Sequence, residues 1–323
     1  MRPLPRCWPV ARHVAPSAEP RTEPRTEPQR LGASVLAVPL LAVLWGLNWP
    51  TVRVLLAWWS VWEMRTIGLG AGALLLFVAA RVRSQPLGVP RAMRVRLLVS
   101  ALFTIVGFNL CTAWAQQSGS TARATIVTYA MPVWVVLLAW AFAGERPDAR
   151  RWMSLTLAVA GLLLLAWPLR EATGSLLGIV FALGASVSWA AGTVFLKRYP
   201  LTVAPVPATA WQLAIGAVVT GAGWLVFGGG SSSAAAPPWP AHWFWIALVF
   251  HIFLAVALGY LIWFDVVARL PGGIAALGTL MVPAVGVSGA MLLLGEHPTV
   301  FDIAGLVLIT AAAAIVLRPA RSS

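Results

Sequence analysis

Charged residues and cysteines are both scarce in this sequence. Only 10% of its 323 residues are charged while 59% are hydrophobic, a composition that excludes an ordinary soluble domain. Its two cysteines, Cys7 and Cys111, lie far apart in a polar tail and an apolar stretch, which indicates neither a disulfide nor a metal site. The sequence also lacks an HExxH motif, paired CxxC motifs and a phosphate-binding GxxxxGK loop. It therefore predicts no catalytic centre, no metal and no cofactor.

Long apolar runs dominate the rest of the sequence. Ten of them are about 20 residues long, the length that a helix needs to cross a bilayer at ~1.5 Å per residue. We therefore predict an all-α membrane protein with ten transmembrane helices. Its partners would include the lipid bilayer and a small-molecule substrate. The predicted spans cover residues 34–53, 62–80, 96–115, 122–143, 151–168, 174–196, 208–227, 243–264, 272–294 and 300–317.

The net charge of +13 is spread over the loops between these spans. A nucleic-acid-binding protein would gather its basic residues on one face with aromatic residues between them, so we expect no nucleic-acid partner. When the loops are assigned alternately to the two sides, 19 of the 23 Lys and Arg residues lie on the side of the N-terminus. Because basic loops are retained in the cytoplasm, the sequence predicts two cytoplasmic termini in a multi-pass protein of the plasma (inner) membrane.

The two ends of the chain are polar. Residues 1–33 are rich in Pro, Arg and Glu, contain the sequence RTEP twice and lack the apolar core of a signal peptide. We predict a disordered cytoplasmic tail there, with a docking segment as the alternative. Residues 318–323 are predicted to form a short second cytoplasmic tail.

Two stretches 151 residues apart share one pattern. In each, a glutamate follows a proline by 13 positions: Pro132 and Glu145 in the first copy, Pro283 and Glu296 in the second. This repetition divides the chain into two units of five spans, at residues 34–168 and 174–317. Because five is odd, the second unit must be inverted relative to the first, as in many secondary transporters.

These features together resemble the drug/metabolite transporter superfamily, specifically the EamA-type ten-helix permeases. The resemblance extends from about Val35 to Leu317. It implies that the first, third, fourth, sixth, eighth and ninth spans surround a central cavity, while the fifth and tenth support the two halves from outside. It also implies a secondary transporter, an exporter more than an importer, and not an enzyme. The residues that carry the resemblance are Trp45, Gly46, Asn48, Arg65, Pro132, Gly144, Glu145, Gly161, Pro283, Gly295, Glu296 and Gly305.

Polar and aromatic side chains in the cavity spans are the candidates for substrate binding, because polar groups are costly inside a bilayer. The amide of Asn48 would bind a solute or cap the carbonyl group freed by Pro50. His251, the only histidine inside a span, would couple transport to protons or bond a neighbouring helix as a neutral ring. The candidates are Trp45, Asn48, Asn109, Gln116, Tyr129, Trp189, His251, Tyr260 and Trp263.

Two arginines and the repeated motif have structural interpretations as well. Arg65 could hold a carboxylate bidentately, but the nearby Glu63 favours an ion pair at the membrane surface. Arg123 would attract an anion or reach the lipid headgroups. The two glutamates of the motif lie on opposite membrane faces, so we expect no carboxylate dyad; Glu145 would pair with Arg150 or Arg151. Gating or structural roles are therefore predicted for Pro132, Glu145, Pro283 and Glu296.

The cargo expected from these side chains is an amino acid, another small metabolite or a drug-like compound, carried by a monomer or a homodimer. A second function, intramembrane serine proteolysis, is suggested by the GVSG sequence at Gly286–Gly289, although His297 is the only histidine that follows it. A third is a sensor or assembly subunit, for which no loop is long enough to hold a signalling domain.

Overall fold

The structure is a computed structural model that describes residues 27–144, 146–167, 176–228, 240–263 and 281–317. In this part of the chain all regular secondary structure is helical. We number the helices in chain order. They are α1 Glu27–Leu55, α2 Val61–Val82, α3 Arg91–Gln117, α4 Thr121–Phe142, α5 Ala149–Ala166, α6 Leu176–Arg198, α7 Pro205–Phe227, α8 Ala241–Trp263, α9 Met281–Leu294 and α10 Val300–Leu317.

Seven of the described helices are long and apolar enough to cross a membrane, namely α1 to α4 and α6 to α8. Helices α9 and α10 are apolar but shorter over their described residues. The predicted all-α integral membrane protein is thereby confirmed. The count of ten spans and their orientation stay predictions.

The first helix begins earlier than the sequence predicts. It starts at Glu27, within the last residues of the predicted 1–33 tail. Pro28 lies in the first turn, where a missing N–H group costs no hydrogen bond, and the apolar run that follows extends the helix. Residues 1–26, Glu145 and residues 318–323, for which tail or pairing predictions were made, lie outside the described residues.

The helices pack in matched pairs between the two halves of the chain. Helix α1 packs along α9 and against α8, and correspondingly α6 packs along α4 and against α3. Helices α2 and α7 pair with each other, as do α5 and α10. For these pairs, exchanging the two halves reproduces the same neighbours.

Two glycines allow α5 and α10 to pack closely against each other. A Cβ added to Gly161 would lie 3.3 Å from the carbonyl oxygen of Gly305, and one added to Gly305 would lie 3.2 Å from that of Gly161. The added atom on Gly305 would also come within 2.6 Å of Leu165 Cγ. Small residues at such crossings allow membrane helices to approach closely, so the two glycines have a packing role.

We predict that Gly305→Ala lowers the stability of the folded protein by about 1–3 kcal/mol, because the new methyl group overpacks the α5–α10 contact. Thermal unfolding of the detergent-solubilised protein measures the effect. Gly88→Ala is the matched control, since a Cβ at Gly88 meets no atom within 4 Å. Equal melting temperatures for the two variants would contradict this account of the packing.

Candidate functional site

Helices α3 and α8 depart from α-helical hydrogen bonding at matched places. Helix α3 is π-helical over Leu102–Gly107, and α8 is π-helical over Phe250–Leu258. Segments of this kind are rare and are frequently found at functional sites. The residues that pack against these two segments are therefore candidates for a functional site.

Each π-helical segment accepts a hydrogen bond from the opposite half of the chain. Trp45 Nε1 on α1 donates to the Ala255 carbonyl oxygen on α8 at 3.1 Å. Ser188 Oγ on α6 donates to the Phe103 carbonyl oxygen on α3 at 2.7 Å. The widened turns thus become points of attachment between the halves.

Asn48 and His251 form a polar pair between α1 and α8. The Oδ1 atom of Asn48 lies 2.7 Å from Nδ1 of His251, and the histidine is only 3% exposed. On its other side, a Cβ added to Gly68 of α2 would lie 2.7 Å from Nε2 of the ring. Within the described residues the Asn48 amide forms no hydrogen bond to the carbonyl group freed by Pro50, so its observed partner is His251.

Three aromatic rings lie along α1 and α8 near this polar pair, and Trp45 bonds to Ala255, one turn of α8 away from His251. The ring of Trp45 lies 5.9 Å from that of Tyr260 and 5.6 Å from that of Trp263, measured between centroids. All three side chains are half-buried. With the polar pair, they bring five of the nine predicted binding residues to one place. We call Trp45, Asn48, His251, Tyr260 and Trp263 the central cluster.

Two other candidate aromatic residues lie in separate contacts. Tyr129 is half-buried near Trp49 of α1, with ring centroids 6.3 Å apart. Trp189 on α6 contacts Phe108 on α3 at 4.8 Å. The first contact lies within the first half and the second joins the two halves, and neither includes a member of the central cluster.

The remaining two candidates are held within α3. Asn109 donates from Nδ2 to the carbonyl oxygen of Ile105 at 2.9 Å. Gln116 is 1% exposed, and its Oε1 atom has no hydrogen-bond partner among the described residues. Its backbone carbonyl accepts a bond from Arg53.

The expected surface ion pair between Arg65 and Glu63 is wrong. Arg65 is 3% exposed and donates from Nε to the Asn109 carbonyl oxygen at 2.9 Å and from Nη2 to Thr112 Oγ1 at 3.0 Å. The reason is geometric, because residues two positions apart on a helix do not face each other. Arg65 is therefore turned toward α3.

Helix α4 is broken near its middle. Its first piece is Thr121–Thr128 and its second begins at Met131, with Tyr129 and Ala130 between them, and Pro132 lies in the first turn of the second piece. The predicted mid-helix proline is thus a helix-starting proline, a position that needs no N–H donor. Discontinuous membrane helices expose backbone groups and recur at solute sites in transporters. In α9, Pro283 is buried within Met281–Leu294.

Glu296 binds the start of α4. Its carboxylate accepts hydrogen bonds from Ser120 Oγ at 2.8 Å and from the backbone N–H groups of Thr121 and Ala122 at 2.8 and 2.9 Å. A negative charge is favoured there by the unpaired N–H groups and the helix dipole. Gly295, with a φ of 67°, ends α9 in a left-handed turn that directs the chain toward this position.

Arg123 forms an ion pair with Asp302 of α10, a partner that neither sequence interpretation, an external anion or the lipid headgroups, had named. The bonds from Nε and Nη2 are 2.8 and 3.2 Å long. Thr299 also binds Asp302 through N and Oγ1, each at 2.8 Å. The sequence analysis missed Asp302, although its place at the start of the tenth predicted span puts it on the same membrane side as Arg123. We call Arg123, Glu296 and Asp302 the α4 anchor.

A cavity of about 250 Å³ lies beside the α4 anchor. It is partly open, and α3, α4, α6 and the α9–α10 connection contribute to its walls. Its polar lining consists of Ser120, Arg123, Glu296, His297, Thr299 and Asp302.

Comparison with known proteins places this arrangement among transporters. The "Uncharacterized transporter YvbV" of Bacillus subtilis is 28% identical over 283 residues, covering 88% of this chain and 91% of that protein. The "Probable amino-acid metabolite efflux pump" of Escherichia coli is 26% identical, covering 84% and 90%. A solved crystal structure aligns with a TM-score of 0.60 at 19% identity, covering 88% of this chain and 97% of its own, which shows the shared fold.

The model of the EamA-like transporter family matches twice, at residues 32–167 and 176–318. The matched residues make up most of the chain. The resemblance drawn from the sequence motifs is thereby confirmed, and the chain belongs to the EamA-like transporter family.

Proposed function

We propose that the protein is a secondary transporter that exports small metabolites, such as amino acids or drug-like compounds, by alternating access. The observation that carries this proposal is the central cluster. A buried histidine, a half-buried asparagine and half-buried aromatic rings lie there between α1 of one half and α8 of the other. Polar side chains at membrane depth are costly, which makes a solute-binding role the first hypothesis for them. The name of the Escherichia coli relative, an amino-acid metabolite efflux pump, supports amino-acid metabolites as cargo.

The proposed topology has ten transmembrane helices in two inverted five-helix repeats, with both termini in the cytoplasm and the protein in the plasma membrane. Three observations support it: the double match of the family model, the matched helix pairs, and the concentration of basic residues on one side of the predicted spans. Substrate would then bind where the halves meet, as in other transporters built from inverted repeats.

The proposed binding set contains the central cluster as its core. Tyr129 lies at the break in α4, and Trp189 lies on α6 at a position that the repeat relates to Trp45. Asn109 and Gln116 would join the set when α3 moves relative to α8. The amide oxygen of Gln116 has no partner among the described residues and is available for such a contact.

The α4 anchor is proposed to close one end of the pathway. Its bonds connect α4 of the first half to the α9–α10 region of the second half, so that end cannot separate while the bonds persist. Glu296 with Pro132 and Pro283 would then be the gating and structural set, and Glu145 is proposed to act as the counterpart of Glu296 in the repeat. Opening this end requires the anchor to dissociate.

The protease alternative has no support in the site geometry. Ser288 is exposed on α9, and no described histidine is hydrogen-bonded to it. His251, the buried histidine, is bonded to Asn48. A serine nucleophile needs such a base within reach, so transport is the better hypothesis.

We expect Asn48→Ala and Trp263→Ala each to weaken substrate binding and counterflow in proteoliposomes about tenfold, the effect of losing one buried contact of ~1.4 kcal/mol. Counterflow of a labelled amino acid, chosen by a thermal-shift screen of amino acids and aromatic metabolites, measures the change. The matched control is Trp245→Ala, because Trp245 is 62% exposed on the outer surface of α8. Wild-type transport in both cluster variants would remove those residues from the site.

The ion pair of the α4 anchor is testable by a double-mutant cycle. Arg123→Ala and Asp302→Ala should each destabilise the protein, since either leaves a partly buried charge without its partner. The double variant should be more stable than the sum of the single effects by about 0.5–3 kcal/mol. Thermal unfolding at two salt concentrations measures it. Strict additivity would show that the two side chains do not stabilise each other.

Pro132→Ala should slow transport while leaving stability nearly unchanged. The new residue supplies an N–H group that can close a hydrogen bond to the carbonyl of Thr128 and so favour a continuous α4. The counterflow rate and the melting temperature are compared with those of Pro205→Ala, a proline in the first turn of α7. Identical rates in the two variants would show that the break in α4 is not needed for the transport cycle.

A further inference from the structure

Arg65 is a buried cation whose hydrogen bonds go only to neutral oxygen atoms. The guanidinium binds the Asn109 carbonyl oxygen through Nε and Thr112 Oγ1 through Nη2. Within the described residues Nη1 has no hydrogen bond, and no carboxylate lies within ion-pair distance of the group. Its positive charge is therefore uncompensated in this part of the structure.

An uncompensated charge at this place is costly. Arg65 is 3% exposed and lies inside a helix long and apolar enough to cross the membrane. Desolvating a single ion costs several kcal/mol, and neutral hydrogen-bond acceptors recover only part of that energy. An ionisable residue of this kind within a transmembrane helix indicates a functional site, in which an anion would balance the charge of Arg65.

The position of Arg65 points toward the central cluster. Gly68, one turn further along α2, faces the Nε2 atom of His251. The guanidinium lies within electrostatic range of both His251 and Tyr260. The cation therefore lies one turn along α2 from the residue that faces His251 of the central cluster.

We infer that Arg65 is the anchor for the carboxylate of the transported solute and that the substrate class is organic carboxylates carrying an apolar or aromatic group. The inference rests on the proposed transport function and deepens it. A carboxylate would take the two N–H groups of Nη1, or one of them with the Nη2 bond now made to Thr112, in the planar geometry that arginine favours. The attached apolar group would pack against Trp45, Tyr260 and Trp263.

An amino group on the solute would contribute little to binding, because it would find no anionic partner in the central cluster. The described residues of the central cluster are neutral or aromatic and include no carboxylate that would bind an ammonium group. Recognition through Arg65 therefore selects the carboxylate, and carboxylic acids that lack the amine bind at least as well as the corresponding amino acids.

Four ligands that share one phenyl ring test this selectivity: 3-phenylpropionate, phenylalanine, phenethylamine and phenyl phosphate. Their protection of the purified, detergent-solubilised protein against thermal unfolding is titrated. We expect 3-phenylpropionate and phenylalanine to bind at least tenfold more tightly than phenethylamine, the factor for one charge-assisted bidentate contact. Preferential binding of phenethylamine would overturn the inference, and preferential binding of phenyl phosphate would reassign the anion to phosphate and overturn the carboxylate class.

Variants place the selectivity on Arg65. Arg65→Gln should lose the preference for 3-phenylpropionate over phenethylamine, and Arg65→Lys, which keeps the charge without the planar fork, should keep a reduced preference. Arg91→Gln, at an exposed arginine on α3, is the control and should behave as wild type. An unchanged preference in folded Arg65→Gln would overturn the assignment. If that variant does not fold, an unreduced preference in Arg65→Lys would do so.

Counterflow of phenylalanine, leucine and glutamine in proteoliposomes separates this inference from the proposed function. Suppose that these amino acids are transported but that 3-phenylpropionate binds no more tightly than phenethylamine. That result would refute the role of Arg65 and leave the proposed transport function standing. Absence of both binding and counterflow for all probes refutes the carboxylate class together with amino acids as cargo.

Discussion

A bilayer offers no water to the polar groups of the helices that cross it, so each such group must be satisfied inside the protein. This constraint accounts for the main polar contacts of the structure. In the π-helical segment of α8, the carbonyl oxygen of Ala255 accepts a hydrogen bond from Trp45. In that of α3, the carbonyl oxygen of Phe103 accepts one from Ser188. The first N–H groups of α4 have no partners within their own helix and are bound by Glu296. In each case the partner comes from the other half of the chain, so the halves are joined where their helices are irregular.

Glycine makes these contacts sterically possible. Gly107 is the last residue of the π-helical segment in α3, and a Cβ there would lie 2.3 Å from Ser188 Oγ. Gly259 follows the π-helical segment in α8, and a Cβ there would lie 2.6 Å from Trp45 Nε1. A larger residue would push the donor away from the carbonyl that needs it. Each of these hydrogen bonds therefore depends on the glycine beside it, and the combination occurs once in each half. A chain that folds as two related units would need to keep both copies for the same reason.

Much of this arrangement could be predicted from sequence because membrane segments obey strong local rules. Hydropathy and basic loops indicated an all-helical membrane protein, and the proline and glycine spacing led to the correct family. The choice of partners could not be predicted in the same way. Arg65 has Glu63 two residues away in sequence, yet it bonds to α3, because tertiary packing decides which face of α2 turns inward. The π-helical segments have no sequence signal that we could use, since their cost is offset by side chains distant in the chain.

The positions of the inter-half bonds also limit how the molecule can move. The contact between Asn48 and His251 and the α4 anchor both connect the halves, but they lie at different places along the helices. Rigid rocking about the middle would stretch the bonds at one end most and those near the pivot least. The dense packing of α2 with α7 and of α5 with α10, which the glycines permit, favours a pivot along these pairs. In the proposed cycle, the α4 anchor, which ties α4 to Glu296 and to the first turn of α10, would break on opening, and the central cluster would rearrange around a solute without separating the two halves.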